Sequence, residues 1–279
     1  MEDKFNDDWA EWSPDGNDFG KCPAFSKVGV ADLPLVEGFG SAATWYDVHR
    51  YCQNPVYYRK ERKTDSSRDV LKEYLLARIL DERLDRFAIF EPPVNETTGQ
   101  PYKSGKAYDA ALAEFTQRFP FAITQAERET VDSATRCFDA YPLRQSLKEC
   151  RSGLRIGGTS AKGVSFAAKI DLYSEELGIF QVKTTPSRLF DYFGDSFRWS
   201  LARLGYLTEA ALLAKICWDA RGLIPRISVV VFQTTEPFQI KLYEISRETI
   251  KRYWDVLESC EDFFMDASFR DVYLRSETV

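Results

Sequence analysis

Residues 168–185 read AKIDLYSEELGIFQVKTT, two β-type runs separated by a short polar stretch that ends in glycine. IDLY and GIFQVKTT are rich in β-branched and aromatic residues, and Gly178 breaks them as a hairpin turn breaks two adjacent strands. In this reading Asp171 ends one strand. After the nine residues 172–180, Gln181 and Lys183 lie two apart on the next strand, so their side chains share a face. A carboxylate, an amide oxygen and a lysine would then meet at one end of two neighbouring strands. The grouping suits Mg²⁺, which takes few protein oxygens together with substrate phosphate, while a lysine orients water or stabilises developing charge. A salt-bridged Asp171–Lys183 pair on a sheet surface would present the same residues.

Outward from this string, LRIGG (154–158) and VSFAAKIDLY (164–173) read as preceding strands. RIGGTSAKG (155–163) has glycines and a lysine but lacks the G-x-x-x-x-G-K-[ST] spacing of a phosphate loop, so it reads as a strand and a turn. Residues 197–220 form a long helical pattern, PRISVVVFQTT (225–235) and IKLYEIS (240–246) are further strands, and residues 247–264 are a closing amphipathic helix. Upstream, residues 69–86 carry apolar side chains at 71, 75, 76, 79, 80 and 84, a helical stripe facing a core. Residues 91–106 are a Pro/Gly-rich loop, and the N-E-T at Asn95 is a chance sequon. Two helices follow at 106–119 and 124–140, the second opened by a capping box of Thr124 and Glu127. The expected fold is mixed α/β, with a central sheet flanked by helices in one domain over residues 41–279. Residues 1–40, rich in Asp, Gly and Pro with Trp9, Trp12 and Phe19, read as a flexible arm.

The 279 residues are 44% hydrophobic and 29% charged, enough apolar material for a sizeable core. Nothing approaches an apolar membrane span, and the acidic N-terminus is unlike a secretory signal, so the expected compartment is the cytoplasm without membrane association. Six cysteines without a C-x-x-C pair read as reduced thiols, and one histidine, His49, limits triads and zinc sites to a single imidazole. The net charge of −6 resides in residues 1–20, leaving the remainder neutral and free to carry a local basic groove. The densest positive cluster, Arg59, Lys60, Arg62 and Lys63, follows Tyr57 and Tyr58. It suits a DNA backbone with stacking of an end base, or equally a solvated helix end.

A strand ending in an acid, a hairpin, then a strand ending in x-x-K resembles the PD-(D/E)xK nuclease core, in particular the phage and prophage exonuclease VIII (RecE-type) branch. The loop and helix pair in residues 97–147 and the closing strands and helix in residues 229–260 resemble the same family, so the likeness runs from Thr44 to about Asp262. It implies a PD-(D/E)xK (restriction-endonuclease-like) fold. Asp171 would be the first metal-binding aspartate, Lys183 the catalytic lysine, and Val182 the donor of a backbone carbonyl to the metal. The cofactor implied is Mg²⁺, with Mn²⁺ as substitute. The activity implied is digestion of duplex DNA from an end, in a ring-like homo-oligomer working with a single-strand annealing protein in a bacterial host.

Three positions depart from the family pattern. Gln181 stands where it has a second carboxylate, Lys72 and Leu76 where it has a glycine and a metal-binding histidine, and Glu209 and Leu213 where it has glutamine and tyrosine. Glu209 would restore the charge lost at Gln181, making Asp171, Gln181, Lys183 and Glu209 the expected catalytic set. Glu73 and Glu149 are weaker acidic candidates, His49 is structural or close to DNA, and Arg188, Arg198 and Arg203 would line the DNA channel. The same departures also fit a non-catalytic descendant that binds DNA or a protein, with the acidic arm acting as a DNA surrogate.

Overall fold

The structure, a computed structural model, describes residues 25, 27–39, 42–53, 70–102, 104–191, 194, 195 and 197–265. The Arg59–Lys63 cluster and the aromatics Trp9, Trp12 and Phe19 lie outside these residues.

In chain order the elements are α1 (Trp45–Gln53), α2 (Val70–Leu80), β1 (Ala88–Phe90), α3 (Lys106–Arg118), β2 (Ala122–Thr124), α4 (Gln125–Asp139) and α5 (Arg144–Lys148). They continue with β3 (Arg151–Thr159), β4 (Ser165–Ser174), β5 (Gly178–Thr185), β6 (Phe190–Asp191), β7 (Gly194–Asp195) and α6 (Arg198–Arg203). The last are α7 (Tyr206–Arg221), β8 (Ile227–Gln233), β9 (Ile240–Glu244) and α8 (Arg247–Met265). Five strands form one sheet in the order β3-β4-β5-β8-β9, antiparallel except for the parallel β5–β8 pair. The expected mixed α/β architecture with a mixed central sheet is therefore observed.

Both faces of the sheet are covered. Ile156, Phe166, Ile170, Ile179, Val229 and Val231 pack with Leu212 and Leu213 of α7 and with Trp254 and Leu257 of α8. On the other face Leu172, Phe180, Val182, Val230 and Phe232 pack with Leu75, Leu76 and Ile79 of α2 and with Val131 and Phe138 of α4. All seven residues of β8 are buried, which explains its continuous run ISVVVFQ where a half-exposed strand would alternate. Each large apolar side chain buried in this way contributes about 1.5–3 kcal/mol against the cost of ordering the chain.

Helix α4 opens on the expected capping box: Thr124 Oγ1 accepts from Glu127 N–H, and the Glu127 carboxylate accepts from Thr124 N–H. Three expectations require correction. Asp171 does not end its strand; it lies inside β4, and the turn is the three residues between Ser174 and Gly178. The pattern over 69–86 stops being α-helical at Leu80, because Asp81 and Arg83 adopt left-handed φ angles of 59° and 53° before a short 3₁₀ turn. The pattern over 197–220 is two helices broken at Gly205, whose φ is +78° and where a Cβ would come within 2.7 Å of the His49 ring. That close approach seats α1 against the start of α7. The parallel β1–β2 pairing and α5 carry too few residues to show periodicity in the sequence. Among the described residues no helix is long and apolar enough to cross a membrane.

Candidate functional site

The central strands β4 and β5 pair at Leu172↔Phe180, Tyr173↔Ile179 and Ser174↔Gly178, and at Asp171 and Gln181 side chains take over from the ladder. Asp171 Oδ2 accepts the Val182 N–H at 2.9 Å, and Gln181 Nε2 donates to the Lys169 carbonyl at 2.7 Å. Each side chain thus bridges from its own strand to the neighbouring backbone. Asp171 and Gln181 are each 1% exposed, so these bonds form where water cannot replace them. Gln181 Oε1 is buried with no hydrogen-bond partner. Val182, whose carbonyl the resemblance assigns to a metal, donates its N–H to Asp171.

Two lysines meet the buried carboxylates. Lys72, in the first turn of α2, places Nζ 2.6 Å from Asp171 Oδ2. Lys183 on β5 places Nζ 2.6 Å from Glu209 Oε2, across from α7. The Lys183 approach is an ion pair without the alignment of a hydrogen bond, since Glu209 Oε2 has no hydrogen-bond partner. The ammonium of Lys183 also lies 4.8 Å from the Tyr206 ring centroid and 5.5 Å from that of Trp45, within cation–π range. Asp171, Glu209 and Lys183 are all buried. In place of the alternative surface pair Asp171–Lys183, the structure holds two pairs with different partners, Lys72–Asp171 and Lys183–Glu209.

Glu73 extends the network toward solvent. It accepts from Lys169 Nζ at 2.6 Å and from Arg86 at 3.2 Å. Burial works to raise its pKa, but the hydrogen bond and charge of Lys169, with Arg86, outweigh it and hold the carboxyl below the ordinary glutamate value. Leu76 belongs to the α2 core; Lys72, one turn earlier, is the residue of that helix that reaches Asp171. Glu149 ends α5 on the surface and accepts from Gln145 at 2.7 Å. His49 bonds Gln53 at 2.9 Å and packs beside Trp45, and burial lowers its pKa despite the opposing hydrogen bond that the ring makes to the Arg203 backbone. Arg188, Arg198 and Arg203 are exposed. Lys72, Trp45 and Tyr206 are the members of the site that the sequence reading did not assign to it.

No family model matches the sequence, and no curated protein matches it. Among solved structures the chain is similar to the crystal structure of a protein from Eubacterium rectale described as a "putative exonuclease", with a TM-score of 0.52 and 10% sequence identity. The match covers 81% of this chain and 80% of that one. The chain shares that fold. At such low identity the likeness carries the architecture, and the chemistry rests on the side chains present.

Those side chains do not fit a divalent metal as they are arranged. Mg²⁺ and Mn²⁺ need oxygen donors free of competing cations. Here each buried carboxylate holds an ammonium at 2.6 Å, and Asp171, Glu209, Lys72 and Lys183 together carry no net formal charge. Among the described residues no group of three or more His, Cys, Asp or Glu stands close enough to hold a metal. Adding a divalent ion would build excess positive charge in a low-dielectric pocket or require an ammonium to leave.

Proposed function

We propose that this chain is a DNA-binding protein built on a PD-(D/E)xK nuclease fold, in which the Lys72 ammonium takes the place of the metal and the centre does not hydrolyse phosphodiesters. The observation that carries this reading is the 2.6 Å contact between Lys72 and buried Asp171. Nucleolytic use of the fold needs a cation that can polarise a phosphate oxygen and activate water. An ammonium locked onto a buried carboxylate supplies charge but no open coordination position. Recognition of DNA is supported by the fold likeness and by exposed cationic and aromatic groups: Arg188, and Arg198 beside Trp199, which is 84% exposed. The basic segment Arg59, Lys60, Arg62 and Lys63 adds phosphate-binding charge in the sequence.

A second reading is a Mg²⁺- or Mn²⁺-dependent exonuclease of the phage recombination type, acting as a homo-oligomer at duplex ends with a single-strand annealing partner. It is favoured by Gln181 Oε1, a buried acceptor with no partner at the heart of the site. One experiment separates the two. End-labelled duplex DNA is mixed with the full chain in Mg²⁺ or Mn²⁺, with anisotropy and product length followed together. The expected result is saturable, salt-sensitive binding with the duplex intact. Digestion that is lost in Asp171→Ala and Lys183→Ala would establish the exonuclease reading, and absence of binding at low salt would remove the DNA assignment.

A further inference from the structure

Helix α1 lies over the site and carries Trp45 at its first residue, facing Lys183. Two turns further on, Cys52 meets Cys260 of α8, with the sulfurs 3.6 Å apart. The two thiols are separated by 208 positions, so nothing local in the sequence brings them together. Their approach is held by neighbouring aromatic packing: the Tyr51 ring stacks on Phe263 at 4.1 Å between centroids and lies 6.2 Å from Phe264. Cys52 is exposed and Cys260 is buried, so one sulfur is open to a reagent in solution and the other is placed behind it.

We propose that Cys52 and Cys260 form a reversible disulfide, a modification site that ties α1 to α8 and so fixes the helix covering the ion-paired centre. The oxidant is hydrogen peroxide. The Cys52 sulfur attacks one peroxide oxygen, the O–O bond breaks, and a sulfenic acid forms with release of water. Cys260 gives up its proton and attacks the sulfenic sulfur, the S–O bond breaks, and a second water leaves. Two thiols and one hydrogen peroxide thereby become one disulfide and two waters.

The thiol chemistry agrees with this division of labour. The hydrogen bond from Cys260 stabilises the Cys52 thiolate and brings its pKa down to about 7 against the opposing effect of burial. The same bond, with burial, pushes Cys260 up, keeping it a thiol until Cys52 has reacted. Burial raises the other two buried cysteines, Cys150 to about 11 and Cys217 to about 12, leaving them inert. Bond formation needs the sulfurs to close from 3.6 Å to about 2 Å, a side-chain rotation at the last turn of α1. Because the loop closed between residues 52 and 260 spans both cores, the cross-link restricts the unfolded chain strongly.

The test uses reduced full-length protein, equimolar hydrogen peroxide, alkylation of remaining thiols and peptide mapping by mass spectrometry. The expected result is a Cys52–Cys260 peptide in most of the protein, reversed by dithiothreitol and absent from Cys52→Ser. The oxidised wild-type protein also unfolds several degrees higher than the reduced form, while peroxide leaves Cys52→Ser unchanged. Unreacted thiols at both positions, a bond from Cys52 to Cys22 or Cys137, or Cys52 carried to the sulfinic acid with Cys260 free would each overturn the proposal.

Discussion

Asp171→Ala is expected to destabilise the protein by about 3–5 kcal/mol, the range for removing one partner of a buried ion pair. Two groups lose their contact with Asp171 at once: the Lys72 ammonium, 17% exposed as a side chain, and the Val182 N–H. An orphaned buried donor alone costs about 1–3 kcal/mol. Lys72→Met is expected to be costly as well, since it leaves a carboxylate 2% exposed with a single hydrogen-bond donor. Replacing both, Asp171→Leu with Lys72→Met, removes two desolvation penalties together and should recover most of the loss. Urea unfolding of the four proteins measures this, and a double variant no more stable than the worse single variant would contradict a paired role. The same series reports on metal. Mg²⁺ should leave the wild-type midpoint unmoved and raise that of Lys72→Ala, whose Asp171 is freed for a cation.

The Lys183–Glu209 pair should respond asymmetrically. Glu209→Gln leaves the Lys183 ammonium with the faces of Tyr206 and Trp45, at 4.8 and 5.5 Å, so part of its stabilisation survives. Lys183→Met leaves Glu209, 5% exposed, with its Oε2 unpartnered. A loss of about 2 kcal/mol is expected for the first and of about 3–4 kcal/mol for the second. Equal losses in urea unfolding would show that the aromatic faces contribute nothing to holding the Lys183 ammonium.

Much of the fold was legible because its strands announce themselves. The runs at 164–173, 178–185 and 227–233 are β-branched and aromatic, and the glycine at 178 is required by its backbone, with φ +91° and a would-be Cβ 2.3 Å from the Arg226 carbonyl. The Thr124–Glu127 capping box was equally plain, since it depends on residues three apart. Gly205 was harder, because a helical pattern continues on both sides and the break depends on α1 pressing His49 against it.

The candidate site was half legible. Asp171, Gln181, Lys183 and Glu209 were singled out, and all four are buried. Which charge pairs with which was not, because it depends on how far β4 and β5 separate and on where α2 crosses them. One signal was available. Lys72 stands three, four and seven residues before Leu75, Leu76 and Ile79, which are 1%, 5% and 0% exposed, so the helix period aims it at the core face. A lysine in that position needs a buried counter-charge. Gln181 matched a family position for a metal ligand, whereas here its amide spans two diverging strands through the Lys169 carbonyl.

The central claim is that Lys72 is the resident cation of Asp171. The most direct test is a crystal of the wild-type protein soaked in MnCl₂, with anomalous differences collected at the manganese edge. The account predicts no manganese peak at Asp171, with the Lys72 ammonium still at hydrogen-bonding distance from Oδ2. A manganese ion bound by Asp171 and Gln181 Oε1, with Lys72 swung away, would contradict it.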